Sequence, residues 1–155
     1  MFVRCEVRSV ATAFVICTLS LTYACASAAA LDDRPTTLAM LQAKADQAQP
    51  RDRCFLYAKL VSQMTDLAGS EFNSGDSLGA SETLKLVQRY AEKIHTGVAS
   101  DSKKLKEAEL LMQRTSFRLK DILGAASYED RQTLEATLKQ LNQVQAQLMT
   151  QVLEK

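Results

Sequence analysis

The chain has 155 residues, 46% of them hydrophobic, 24% charged and only 6% aromatic, with a formal charge of +1. This length points to a single domain, and near-neutrality argues against nucleic acid or an anionic membrane as the main partner, since both demand a net basic surface. No run alternates with period two while rich in valine, isoleucine and aromatics, so essentially no sheet is expected.

Residues 1–30 come first because they decide what belongs to the folded protein. Arg4 and Arg8 give a positive start, Val10 to Leu21 an apolar run, and Cys25 to Ala30 a string of small residues. This is the three-part pattern of a secretory signal peptide, with cleavage before Ala29 or Leu31, and it implies export to the periplasm or the exterior. Two rivals exist. No charge lies between Arg8 and Asp32, so an uncut segment could serve as a membrane anchor. A lipid on Cys25 would need a lipobox, which Leu21-Thr22-Tyr23-Ala24 matches only in Ala24. A membrane partner is therefore expected only if the segment is retained or lipidated.

Loss of Cys5, Cys17 and Cys25 with that segment leaves Cys54 alone, unable to make an internal disulfide, so stability must come from packing. Cys54 reads first as a small buried hydrophobe; a dimer disulfide and a thiol activated by Arg53 are the sharper alternatives. Removing Arg4 and Arg8 from 19 basic residues, and Glu6 from 18 acidic ones, leaves a formally neutral chain.

Residues 31–35 read as a linker and 36–155 as one all-helical domain. Thr36 or Thr37 can cap a first helix with the stripe Leu38, Leu41, Ala45 and Ala48, which stops before Pro50. From about Asp52 a second helix puts Tyr57, Leu60 or Val61, Met64, Leu67 and Ala68 on one face, with Phe55 and Leu56 beside them, and breaks at Asn73-Ser74-Gly75. Asp76 or Ser77 can cap the third, which carries Leu84, Val87, Ala91, Ile94 and Val98 at helical spacing. Gly79 is unhelpful in its first turns, and Gly97 marks its end. Ser100, Asp101 or Ser102 offers the next cap, before Leu105, Ala108, Met112, Thr115, Leu119 and Ile122, with Gly124 as a stop. Ser127 to Asp130 reads as a capping box for a last helix with Leu134, Leu138, Leu141, Leu148 and Val152. Only turns join these segments, so consecutive helices are expected to pack antiparallel. The predicted fold is all-α: antiparallel helical hairpins, about five helices, forming a bundle or a short array.

Leu67-Ala68-Gly69-Ser70-Glu71-Phe72-Asn73-Ser74-Gly75-Asp76, followed by Ala80, Leu84 and Val87, resembles the middle of a tetratricopeptide repeat (TPR). The matching positions are Leu67, Ala68, Phe72, Gly75, Asp76 and Ala80. The resemblance implies that these residues pack a helix–turn–helix, with Ala80 at the crossing, and it makes the array TPR-like. The helices exceed what a repeat of about 34 residues allows for two, and no second copy follows.

Chemistry is sparse. His95 is the sole histidine, which excludes a Ser-His-Asp triad or a multi-histidine metal site within one chain. The pairs Glu107/Glu109, Glu129/Asp130 and Asp32/Asp33 are adjacent or alternate, so they do not face each other on a helix. No phosphate loop, nucleophile elbow or His-Glu-x-x-His pattern occurs. Neither an enzyme nor a cofactor is expected. Lys103, Lys104 and Lys106, with Arg114, Arg118 and Lys120, form the most basic stretch and read as a solvated face or an anion-binding surface. The last helix carries a polar, nearly uncharged run, and its expected interaction surface is Gln140, Gln143, Val144, Gln147, Leu148, Gln151 and Val152. Together these features predict a non-catalytic protein-interaction or structural module whose partner is a protein, a second copy included. The alternative is a small-ligand or cofactor carrier lined by Phe55, Tyr57, Phe72, Tyr90 and Phe117.

Overall fold

The structure, a computed structural model, describes residues 33–98 and 102–154. The chain divides into two units, Met1–Arg34 and Pro35–Lys155, and the helices described below lie in the second apart from Asp33 and Arg34. The signal-peptide reading, its cleavage points and the anchor alternative fall outside the described residues, as do Ser100 and Asp101.

Five helices follow in order, α1 (Asp33–Gln47), α2 (Pro50–Asn73), α3 (Ser77–Gly97), α4 (Leu105–Ala125) and α5 (Tyr128–Leu153), with no strand among the described residues. The fold is an all-α bundle. α1 starts earlier than Thr36: Pro35 lies in its first turn, where a missing N–H costs no intrahelical bond, so part of the expected linker is helix. Gln49 is extended, with ψ at 148°, as the residue before a proline prefers, and this separates α1 from α2.

The caps show where side chains direct the chain. Gly75 takes the left-handed turn, with φ at 84°, and Asp76 then caps α3 by accepting from the Gly79 amide at 2.9 Å. A Cβ on Gly79 would sit 2.3 Å from the Asp76 carboxylate. The apparently poor glycine thus leaves room for the cap. Ser127 accepts from the Asp130 amide at 3.3 Å and donates to the Asp130 carboxylate at 2.6 Å, a box closed side chain to side chain. α4 departs from expectation. Its N-cap is Lys104, left-handed at φ 55° and without a side-chain cap bond, while the Lys103 amide donates to the Arg51 carbonyl at 2.7 Å. Gly124 lies inside α4 rather than ending it.

α2 packs on α3 and α4 on α5, while α2 also lies along α4 and α3 along α5. Tyr57 stacks on Tyr90 with ring centroids 5.8 Å apart, which pairs the start of α2 with the end of α3. Gln145 of α5 meets Glu109 of α4, so that pair is antiparallel too, whereas between the two pairs the order is parallel: Asp66 meets Arg118, and Gly69 lies beneath Ile122, while Ser77, Gln88 and His95 of α3 meet Asp130, Gln140 and Gln147 of α5. The expectation that consecutive helices pack on one another therefore fails for α3 and α4, although the two run in opposite directions. Though consecutive, they are diagonal and share no direct packing, because each hydrophobic stripe is covered by the other pair. The core holds Leu60, Leu84, Ile94, Met112, Leu119, Leu134, Leu141 and Leu148, all fully buried.

α1 stands apart from these four. Ala45 is buried and Leu38 and Leu41 lean on the core, but its firmest tie is polar. Asp46 accepts from the Tyr57 hydroxyl at 2.7 Å and from the Lys93 ammonium at 2.9 Å.

Candidate binding cleft

The C-terminal part of α1, the first turns of α2 and the residues leading into α4 enclose a cleft of about 580 Å³. Its floor is apolar, formed by Leu41, Ala48, Phe55 and Leu56, and its walls carry Lys44, Lys59, Lys103 and Lys104 against a single carboxylate, Asp52. Local structure explains each placement. Phe55 and Leu56 lie in the first turns of α2, partly buried against the core. The left-handed Lys104 turns the chain so that its ammonium lies 4.8 Å above the Phe55 ring, a cation–π contact that fixes one wall. Lys103 approaches Asp52 at 3.7 Å, leaving three lysines of the rim without a carboxylate within ion-pair distance among the described residues. Arg51, Lys103, Lys104 and Lys106, with the carboxylate Glu107 among them, continue the mainly basic surface around the corner to Val152.

Charge therefore segregates in a chain that is nearly neutral overall. Four cations around an apolar floor attract a group that is anionic at one point and apolar beside it.

No family model matches the sequence, no curated protein matches it, and no solved structure matches its fold.

The residues singled out on α5 lie elsewhere. Val144 and Leu148 are buried at 1% and 0% exposure, and Val152 packs partly against the core. Gln140 donates to the Gln88 carbonyl at 3.0 Å and Gln147 to the His95 carbonyl at 3.0 Å. Gln151 bonds Glu154 within its own helix end, and only Gln143 of the seven is exposed. Two glutamines of α5, Gln140 and Gln147, thus lie in its seam with α3, and a third, Gln145, reaches Glu109 of α4. His95 sits in the last turn of α3, where carbonyls lack helical partners, so Gln147 supplies a donor the helix cannot.

The five aromatics of the carrier alternative do not converge. Tyr57 and Tyr90 are buried together, Phe117 is 58% exposed, Phe72 lies at a separate cleft, and only Phe55 lines the lysine-rimmed one. Cys54 is buried, and burial pushes its thiol up to about 11, which keeps it protonated near neutral pH and poorly nucleophilic. His95 is exposed, and among the described residues no group of three or more His, Cys, Asp or Glu could hold a metal ion. Nor is any helix among them long and apolar enough to cross a membrane.

Lys103 and Lys104 were visible in the sequence as part of a basic stretch. Lys44 and Lys59 were not linked to them, because neither spacing nor motif joins residues on three elements. The partial signal was Phe55 and Leu56, apolar residues beside rather than within the stripe of α2.

Proposed function

We propose that this protein is a non-catalytic, exported interaction module that binds a partner protein through the lysine-rimmed cleft between α1, α2 and the start of α4. The observation that carries the reading is the juxtaposition of Lys44, Lys59, Lys103 and Lys104 with the floor of Leu41, Phe55 and Leu56. Such a surface fits a protein segment bearing carboxylates next to an apolar side chain, because desolvated charge needs a counter-charge and the floor needs apolar cover. Export rests on the grammar of residues 1–30, and the helical turn at Gly75–Asp76 fits the TPR-like packing proposed for Leu67 to Val87. The small-ligand alternative draws less support, since the aromatics it requires are dispersed.

The test is capture from the extracytoplasmic fraction with the wild-type chain and with K103E/K104E as baits. Proteins recovered by the wild type, released by salt and lost from the charge-reversed bait support the reading. Identical recoveries from both baits overturn it.

A further inference from the structure

We infer that the cleft receives the opposite end of a second copy of this chain, building head-to-tail chains; the inference rests on the binding role proposed for the cleft and names its occupant. At the far end of the bundle, Leu78 and Tyr128 are 83% and 92% exposed, the most exposed of the large apolar residues there. They occupy the first turns of α3 and α5, and Ser77 joins the two helices by donating to Asp130 at 3.2 Å, so the apolar pair stands on a clamped base. The caps and first two turns of these helices carry Asp76, Glu82, Glu129 and Asp130 against one cation, Arg131. The cleft has the reverse balance, four lysines to one carboxylate. Each end thus offers an apolar centre inside a charged surround, with opposite signs.

One molecule cannot satisfy itself. α2 spans 24 residues from the cleft to the acidic end, about 36 Å at 1.5 Å per residue. Two different patches at opposite ends make a heterologous contact, which propagates rather than closing at a symmetric dimer. Leu78 supplies cover for Phe55 and Leu56, and the carboxylates around it meet Lys103 and Lys104. Charge pairing at such a rim governs encounter and register and is screened by salt.

Sedimentation equilibrium of the full chain tests this. The average mass should rise with concentration without a plateau at two copies, and return to monomer in about 1 M salt, where the Debye length is about 3 Å. K103E/K104E and L78D/Y128D should each be monomeric with unchanged helical circular dichroism, since all four side chains are exposed. Mixed, they should form a dimer that stops at one copy of each, because the mixture retains a single good knob and a single good cleft. A wild-type chain that is monomeric throughout, growth unaffected by either variant, or a mixture that stays monomeric overturns the inference. If the wild type is monomeric yet K103E/K104E loses captured proteins, the binding role stands and this occupant is wrong. If the baits also capture alike, both fall.

Discussion

Asp46 concentrates what a single side chain contributes to this fold. The hydrogen bond from Lys93, then that from Tyr57, lowers its pKa below the usual carboxylate value, and Lys93 is raised in turn by its bond to Asp46. The Lys93 ammonium also lies 5.1 Å from both the Tyr57 and Tyr90 rings, so the pair is seated on an aromatic shelf. A carboxylate with a depressed folded pKa stabilises most above its unfolded value and loses that stabilisation as pH falls through the folded one. α1 should therefore loosen selectively below the ordinary carboxylate range, before α2 to α5 unfold. Amide exchange measured along α1 during acid titration should show it, and Asp46→Asn should give the loosened α1 already at neutral pH. Equal protection of α1 in wild type and variant would contradict the latch. The sequence did not single out Asp46, because its two partners are 11 and 47 residues away.

At the scale of elements, stripes were legible and seams were not. Leu84, Val87, Ala91 and Ile94 emerge as the buried face of α3, because helical periodicity is a local property. The end of α2 near Asn73 and the caps Asp76 and Ser127 were equally local. The start of α4 was not: Lys104 adopts its left-handed turn where the preceding amide is held by Arg51, a contact across half the domain. α5 shows the same division. Its glutamines looked free because depletion of charge resembles a docking face, yet amides that donate to the carbonyls of α3 leave the same trace in sequence. Leu148→Ala should accordingly cost about 2–5 kcal/mol in chemical denaturation, as for a fully buried leucine. Gln143→Ala should stay within about 0.5 kcal/mol, as an exposed position allows. A Leu148 variant of unchanged stability would return that side chain to the surface.

On the scale of the whole molecule, the fold class was readable from the absence of strand patterns and the five stripes, while the arrangement of helices was not. Short connections imply neighbours that pack, and for α2/α3 and α4/α5 they do. Between α3 and α4 the connection instead joins diagonal helices, since the stripe of α3 is taken up by α2 and α5. Nothing within either helix encodes that choice, which is settled by which pair of faces buries more apolar surface. The basic cleft is likewise a product of assembly, made where α1 stops short and three elements meet.

The diagonal link has a further consequence. No direct helix contact among α2 to α5 joins α3 to α4, the two helices that the connecting backbone links. A protein severed between α3 and α4 should behave as two halves of one object. Co-expressed as separate polypeptides, the part ending after α3 and the part beginning before α4 should find each other and co-purify with native helicity. Halves that fold separately and ignore one another would show that the bridge, rather than the apolar seam, is what unites them.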